Sequence, residues 1–253
     1  MKITFLGTGT SQGIPMIANN DPVCLSDNPR DKRLRSSIMI SWNDIRYIID
    51  CGPDFRQQML RENIQSINGV LFTHEHADHT AGIDDLRPYT YKMGEVPIYA
   101  QERVIENLKV RFSYIFETEN RYAGAPKLTE NIIDVTSFML QGVQVTPIAI
   151  MHGKLPITAY RFGNVAYITD LKTMSDQEKK KLENLEILIV NALRIDAHPT
   201  HLNLEEALAF VNEIKPKRAY FTHISHKLGF HEDVEKILPE NVFLSYDGLQ
   251  ITL

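Results

Sequence analysis

The sequence predicts an α/β protein in which helices cover the outer faces of sheet layers. Three observations carry this expectation. Ten apolar, β-branched runs of strand length are distributed along the chain and are bounded by turn residues, as strands require. Segments with helical spacing and capping signals separate several of them. Strands come first, and strand and helix then alternate, which is the order of layered α/β architectures.

Taken in order, "KITFLG" (2–7), "SIMISW" (37–42) and "IRYIID" (45–50) read as strands. "PDFRQQMLREN" (53–63) reads as a helix, with Pro53 at a plausible first position. "GVLFT" (69–73) and "VPIYA" (96–100) follow as strands, and "QERVIENLKVRFSYIF" (101–116) is the longest helical candidate. "VQVTPIAI" (143–150) and "NVAYITD" (164–170) are strands. "SDQEKKKLEN" (175–184) opens on Ser175 with Glu178 three residues on, a capping box. After the strand "EILIVNAL" (186–193), Asn203 and Glu206 repeat that signal. They precede "LEEALAFVNEIKP", where Leu204, Ala207, Leu208 and Val211 share a face and Pro216 sets the end. "RAYFT" (218–222) and "NVFLSY" (241–246) complete the strands. No linker, charge block or repeat interrupts the series, so residues 1–253 are read as one domain.

Composition narrows the functional classes. The chain is 43% hydrophobic and 23% charged, the balance of a soluble globular protein. No apolar run approaches the roughly 18 residues of a membrane span. Met1 leads directly into a strand without a signal-peptide pattern, which makes a cytoplasmic location the default expectation. Cys24 and Cys51 cannot build a disulfide framework, in keeping with a reducing compartment. Lys and Arg total 27 against 32 Asp and Glu, for a net charge of −5, and this argues against non-specific attraction to nucleic acid or anionic lipid.

The stretch "VLFTHEHADHTAGI" (70–83) places His74, His76, Asp78 and His79 in six positions directly after a run of β-formers. Imidazole nitrogens and carboxylate oxygens are the usual ligands of Zn²⁺, Mn²⁺ and Fe²⁺. With nine histidines in the chain, chance would produce His-x-His-x-Asp-His on the order of once in a thousand such sequences. Further ligand types stand at the ends of other predicted strands: His152, Asp170 and His223. A strand's C-terminal end is where a core-facing run stops and a cleft can open.

These residues resemble the metallo-β-lactamase superfamily. The resemblance rests on "THEHADH", on His152, on Asp170 in "YITD", on His223 in "FTHISH", and on Asp50 in "IIDCG". It implies an αββα four-layer sandwich of two pseudo-equivalent halves. It also implies two divalent ions, Zn²⁺ or Mn²⁺ with Fe²⁺ as a further option. His74, His76 and His152 would hold one ion, Asp78, His79 and His223 the other, and Asp170 would bridge them. In such a centre the ions acidify a bridging water from a pKa of about 15.7 towards 7, giving a hydroxide nucleophile, and neutralise charge on a substrate oxygen. Asp78 therefore counts among the catalytic residues as well as the ligands. Asp50 would orient ligands through hydrogen bonds.

"FLGTGTSQGIP", "RDKRLRSSIMI" and the pairing of "HPTHLNLEEAL" with "THISH" are similar to the group containing the 5-phosphoribosyl 1,2-cyclic phosphate phosphodiesterase. By that pattern His201 is the general acid that protonates the leaving oxygen, with His226 assisting. His198, before Pro199, is read as a loop residue. The group often carries a Cys-rich structural zinc cluster; here "MIANNDPVCLSDNP" retains only Cys24, so no structural zinc is expected. Arg33, Arg35 and Arg87 are read as surface or structural residues before phosphate clamps. The leading expectation is a phosphodiesterase acting on a small phosphodiester, a cyclic one included. A tRNA 3′-processing nuclease and a non-hydrolytic cofactor-biosynthesis protein on the same fold are the alternatives. Residues 111–128 could form a lid or a homodimer contact.

Overall fold

The computed structural model describes residues 1–119 and 121–253. Its strands in chain order are β1 (Lys2–Gly7), β2 (Ser37–Trp42), β3 (Ile45–Ile49), β4 (Gly69–Leu71), β5 (Val96–Ala100), β6 (Leu128–Ile132) and β7 (Phe138–Leu140). They continue with β8 (Val143–His152), β9 (Leu155–Phe162), β10 (Val165–Ile168), β11 (Ile187–Asn191), β12 (Arg218–Thr222), β13 (Val242–Leu244) and β14 (Gln250–Thr252). The chain divides into two compact units, one of residues 1–7, 37–134 and 248–253, the other of residues 8–36 and 135–247.

The first unit holds a seven-stranded sheet of order β14-β1-β2-β3-β4-β5-β6. Antiparallel pairing joins β14, β1, β2 and β3, and parallel pairing continues through β6. The strands β3 and β4 therefore end on the same edge of this sheet. Its core gathers Leu6, Ile48, Phe55, Val70, Phe72, Ile98, Val104 and Leu108. The helices Phe55–Arg61 and Glu102–Arg111 contribute apolar faces to this cluster, as amphipathic helices on a sheet must.

The second unit holds a seven-stranded sheet of order β13-β12-β11-β10-β9-β8-β7. The strands β10 to β13 are parallel, and β9 is antiparallel to both β8 and β10. The strands β8, β10 and β12 accordingly run the same way and end on one edge. Ile148, Ile168, Leu188, Val190, Ala207 and Phe221 lie in its core. The helix Leu204–Ile214 packs Leu204, Ala207 and Phe210 inward.

Several elements depart from the sequence expectation. The long helical candidate is broken: Glu102–Arg111 and Ser113–Phe116 are separate, because Phe112 leaves helical geometry at φ −125°, ψ 43°. The longer helix is Leu204–Ile214, whose capping box is complete, with Asn203 accepting from the Glu206 amide and Glu206 from the Asn203 amide. The strand β9, which carries Pro156 near its start, and the short β6, β7 and β14 stand outside the strands that the sequence predicts.

Candidate metal-ligating clusters

In the first unit, the chain leaves β4 through Phe72 and Thr73 and enters a tight turn that carries four ligand-type side chains. His74 and His79 are buried. His74 Nε2 and His76 Nδ1 lie 2.9 Å apart, within hydrogen-bond distance and close enough for one ion to take both. Asp78 Oδ2 is 3.1 Å from His79 Nε2.

Asp50, just past the end of β3, organises this turn from beneath. Its carboxylate accepts from the Thr73 amide at 2.8 Å, from Thr73 Oγ1 at 2.8 Å and from His79 Nδ1 at 2.6 Å. With its Nδ1–H committed to Asp50, His79 presents Nε2 as a lone pair. The Thr73 hydroxyl gives its single proton to Asp50, so His74 Nδ1, 2.9 Å away, must be the donor of that contact, and His74 Nε2 is likewise a lone pair. A hydrogen-bonded far nitrogen that fixes the tautomer is what a ligating histidine requires. Burial pushes the Asp50 carboxyl up, while His79 and Thr73 hold it down.

Close backbone approach completes the turn. The Cys51 amide donates to the His79 carbonyl at 2.8 Å and the Gly82 amide to the Cys51 carbonyl at 2.9 Å. A Cβ on Gly52 would sit 2.0 Å from the Asp78 carbonyl oxygen. Gly52 therefore belongs to the turn, a residue that the sequence reading leaves without a role although it directly follows Asp50 and Cys51. An apolar cavity of about 290 Å³ in this unit, between Phe55, Met59, Ile64, Pro88 and Tyr89, contains none of these histidines.

In the second unit, ligand-type residues stand where β8, β10 and β12 end. His152 Nδ1 is 2.9 Å from the Thr200 carbonyl, which can only accept, so Nε2 is the lone pair. Asp170 Oδ2 accepts from Thr169 Oγ1 at 2.5 Å, while Oδ1 lies 3.0 Å from His201 Nε2 and 3.2 Å from His223 Nε2. Ligand atoms of His152, Asp170 and His201 fall within 4.8 Å of one another. The His201 and His223 rings stack with centroids 4.9 Å apart.

His201 thus stands among the ligand-type residues and in contact with Asp170. Burial is the main cause that pushes its imidazole down to about 4; the Asp170 hydrogen bond opposes this. His198 lies against it, with the two Nδ1 atoms 3.1 Å apart, so its place is beside this cluster as well as in the loop. His226 makes its hydrogen-bond contact with Asn19, Nε2 to Nδ2 at 3.3 Å.

Three of these positions share a backbone signature. Asp50, Asp170 and His223 have φ of +67°, +57° and +55°. Non-glycine residues enter this left-handed region at a cost, and outliers of this kind collect at functional sites. Arg33 is structural: buried, it donates to Thr8 Oγ1 at 2.8 Å and the Ser245 carbonyl at 2.6 Å. Arg87 makes two bonds to Asp84 Oδ1, at 2.9 and 2.6 Å, and Arg35 Nε donates to the Ser11 carbonyl.

The β-lactamase superfamily domain matches residues 45–224. The chain belongs to the metallo-β-lactamase superfamily. A solved structure described as a new diphosphatase from the PhnP family is 38% identical, with a TM-score of 0.93, over 99% of this chain and 96% of that one. An octanoyltransferase of Porphyromonas gingivalis is 38% identical over 99% of this chain, which spans about half (51%) of that protein. A ribonuclease Z of Methanococcus maripaludis is 25% identical, covering 100% of this chain and 68% of that protein. The α/β fold class and the superfamily expected from the sequence are thereby established. A metal-dependent hydrolase fold of this kind implies divalent ions, and the donor sets fit them: the hydrogen bonds of His74, His79 and His152 each leave Nε2 as the ligating atom. Among the described residues, no helix is long and apolar enough to cross a membrane.

Proposed function

We propose that this hydrolase cleaves a P–O bond in a small phosphodiester, a cyclic one included, or in a diphosphate. His74, His76, Asp78, His79, His152, Asp170 and His223 would hold two divalent ions, Zn²⁺ or Mn²⁺. The observation that carries the reading is the near full-length likeness, at 38% identity, to a diphosphatase of the PhnP family. Such ions, when bound, supply Lewis-acid polarisation of phosphate oxygens and an acidified water as nucleophile.

The chain's own residues do the rest. Asp50 and the Thr200 carbonyl take the Nδ1–H of His79 and His152, and Thr73 Oγ1 takes that of His74. These bonds fix the tautomer and orientation of three rings. His201 is assigned the proton donor to the leaving oxygen; burial opposes its protonated form, and the Asp170 carboxylate, 3.0 Å from Nε2, is the group that favours it. Neither Ser nor Cys is needed as a nucleophile.

Nucleic acid is the weaker substrate class despite the ribonuclease Z likeness, because a net charge of −5 opposes phosphate-backbone binding. We assign no acyl transfer to this chain from the octanoyltransferase likeness. Covalent acyl transfer through a thiol needs an accessible thiolate. Cys24 and Cys51 are both buried, and burial pushes the Cys51 thiol well up.

The test restores Mn²⁺ or Zn²⁺ to chelator-stripped protein and measures hydrolysis of bis(p-nitrophenyl) phosphate, a cyclic phosphate and a dinucleotide diphosphate, with Asp78→Ala alongside. Metal-dependent turnover that the substitution abolishes is expected. A metal-loaded wild type that hydrolyses none of the three overturns the assignment.

A further inference from the structure

We infer that Arg103 and Arg111 are positioning residues for the ligand turn of the first unit, acting through Glu75. This rests on the reading that the turn holds metal. Glu75 sits between the two histidines whose nitrogens approach to 2.9 Å. A small rotation of its backbone swings both imidazoles, so whatever fixes Glu75 fixes their convergence.

Two arginines from one helix do this at two different atoms. Arg103, near the start of Glu102–Arg111, pairs through NH1 with Glu75 Oε1. Arg111, the last residue of the same helix, donates from NH1 to the Glu75 backbone carbonyl at 2.6 Å and to Thr80 Oγ1 at 3.0 Å. Thr80 in turn donates to the His76 carbonyl at 2.8 Å. The peptide between Glu75 and His76 is therefore held through its own oxygen, and the end of the turn through Thr80. Eight residues of helix separate the arginine backbones by about 12 Å, and their side chains converge on Glu75 from one rigid rod, Arg111 holding Thr80 as well.

A surface-pairing account predicts something different. The Arg103 and Glu75 side chains are 38% and 17% exposed, and partly exposed ion pairs contribute little to stability. Groups that orient metal ligands, in contrast, typically change metal affinity by about 10–100-fold when removed. The two effects separate in one experiment.

Metal affinity of the full chain is measured by competition with a graded chelator, using Zn²⁺ and Mn²⁺ as probes, with the thermal midpoint of the stripped protein recorded in parallel. Arg103→Ala and Arg111→Ala are expected to weaken metal binding about 10-fold or more and to leave the stripped-protein midpoint near that of wild type. Arg111→Lys should recover part of the loss, since an ammonium can still reach the carbonyl. Lys109→Ala, on the same helix but paired with Glu106 and Glu130, serves as the control and should bind as wild type does. If Arg103→Ala fails to fold, Glu75→Gln, which keeps the size and removes the charge that Arg103 pairs with, replaces it; if Arg111→Ala fails to fold, Arg111→Met, which keeps the apolar stem and removes the donors to Glu75 and Thr80, replaces it, each with the same expected direction. Wild-type affinity in the arginine variants, or an equal loss in Lys109→Ala, overturns the inference and leaves the metal-centre reading intact. A wild type that binds neither ion overturns both.

Discussion

His231 offers a test of buried electrostatics at a residue outside the ligand clusters. It begins the helix His231–Ile237 in the second unit and is 2% exposed. Its Nδ1 lies 3.0 Å from NH2 of the buried Arg33. A guanidinium is only a donor, so the imidazole must accept at Nδ1 and stay neutral. Burial, with Arg33 and Arg30 adding to it, pushes the ring down to about 4 from an ordinary 6.5. The unfolded chain therefore binds a proton between these values that the folded protein refuses, and stability rises with pH across that window. At about 1.4 kcal/mol per decade the gap bounds the loss at about 3–4 kcal/mol as pH falls from about 6.5 to 4, with about 2 the expected value. Urea unfolding at a series of pH values, for wild type and for His231→Gln, isolates this contribution. The glutamine keeps an acceptor for Arg33 and cannot titrate. The wild-type advantage should shrink steadily below about pH 6.5. Parallel stability curves for the two proteins would refute the reasoning.

Gly52→Ala should destabilise the fold by at least about 2 kcal/mol, since the new Cβ would meet the Asp78 carbonyl at 2.0 Å and backbone must move; a thermal midpoint equal to wild type would contradict the close approach. Asn203→Ala removes the acceptor for the Glu206 amide and should cost about 0.5–2 kcal/mol, read by denaturant unfolding. For His201→Gln, the rate loss should depend on the leaving group: about 10²–10⁴-fold for an alkoxide that needs a proton, and far less for p-nitrophenolate. Equal losses with both would remove the proton-donor role.

The strands that could be read from the sequence are those with a sustained apolar, β-branched run. The strands β1, β2, β5 and β12 begin and end where "KITFLG", "SIMISW", "VPIYA" and "RAYFT" do. Those that could not be read violate a local rule for a reason visible in the sheet. Leu128–Ile132 is an edge strand, and "LTENI" carries the polar residues that an unpaired edge tolerates. The strand β9 contains Pro156 yet pairs along its length with β8, whose ten residues supply the register that its own pattern does not. The break at Phe112 has no glycine or proline to announce it. Its apolar neighbours Tyr114 and Phe116 pack on the core of the first unit, so tertiary packing rather than propensity ends the helix.

The site was legible to a different degree because ligand chemistry restricts residue type more tightly than packing does. Packing accepts any apolar residue of suitable volume, whereas a divalent ion in an N/O site accepts few donors, so the cluster at His74–His79 announced itself. What the sequence could not display is the geometry that makes these donors usable. Asp50, Asp170 and His223 each follow a strand of a parallel run and turn the chain through the left-handed region. Aspartate and histidine enter this region more readily than most residues, yet for each it costs more than for glycine. A residue whose only role was to fill space could be replaced there by glycine, which would relieve the strain at once. A strained, buried imidazole at a strand end is therefore best explained by the direction in which its nitrogen points. The same logic covers Gly52: its lack of a side chain lets the Asp78 carbonyl approach, and that approach settles where the ligand turn lies on its own sheet.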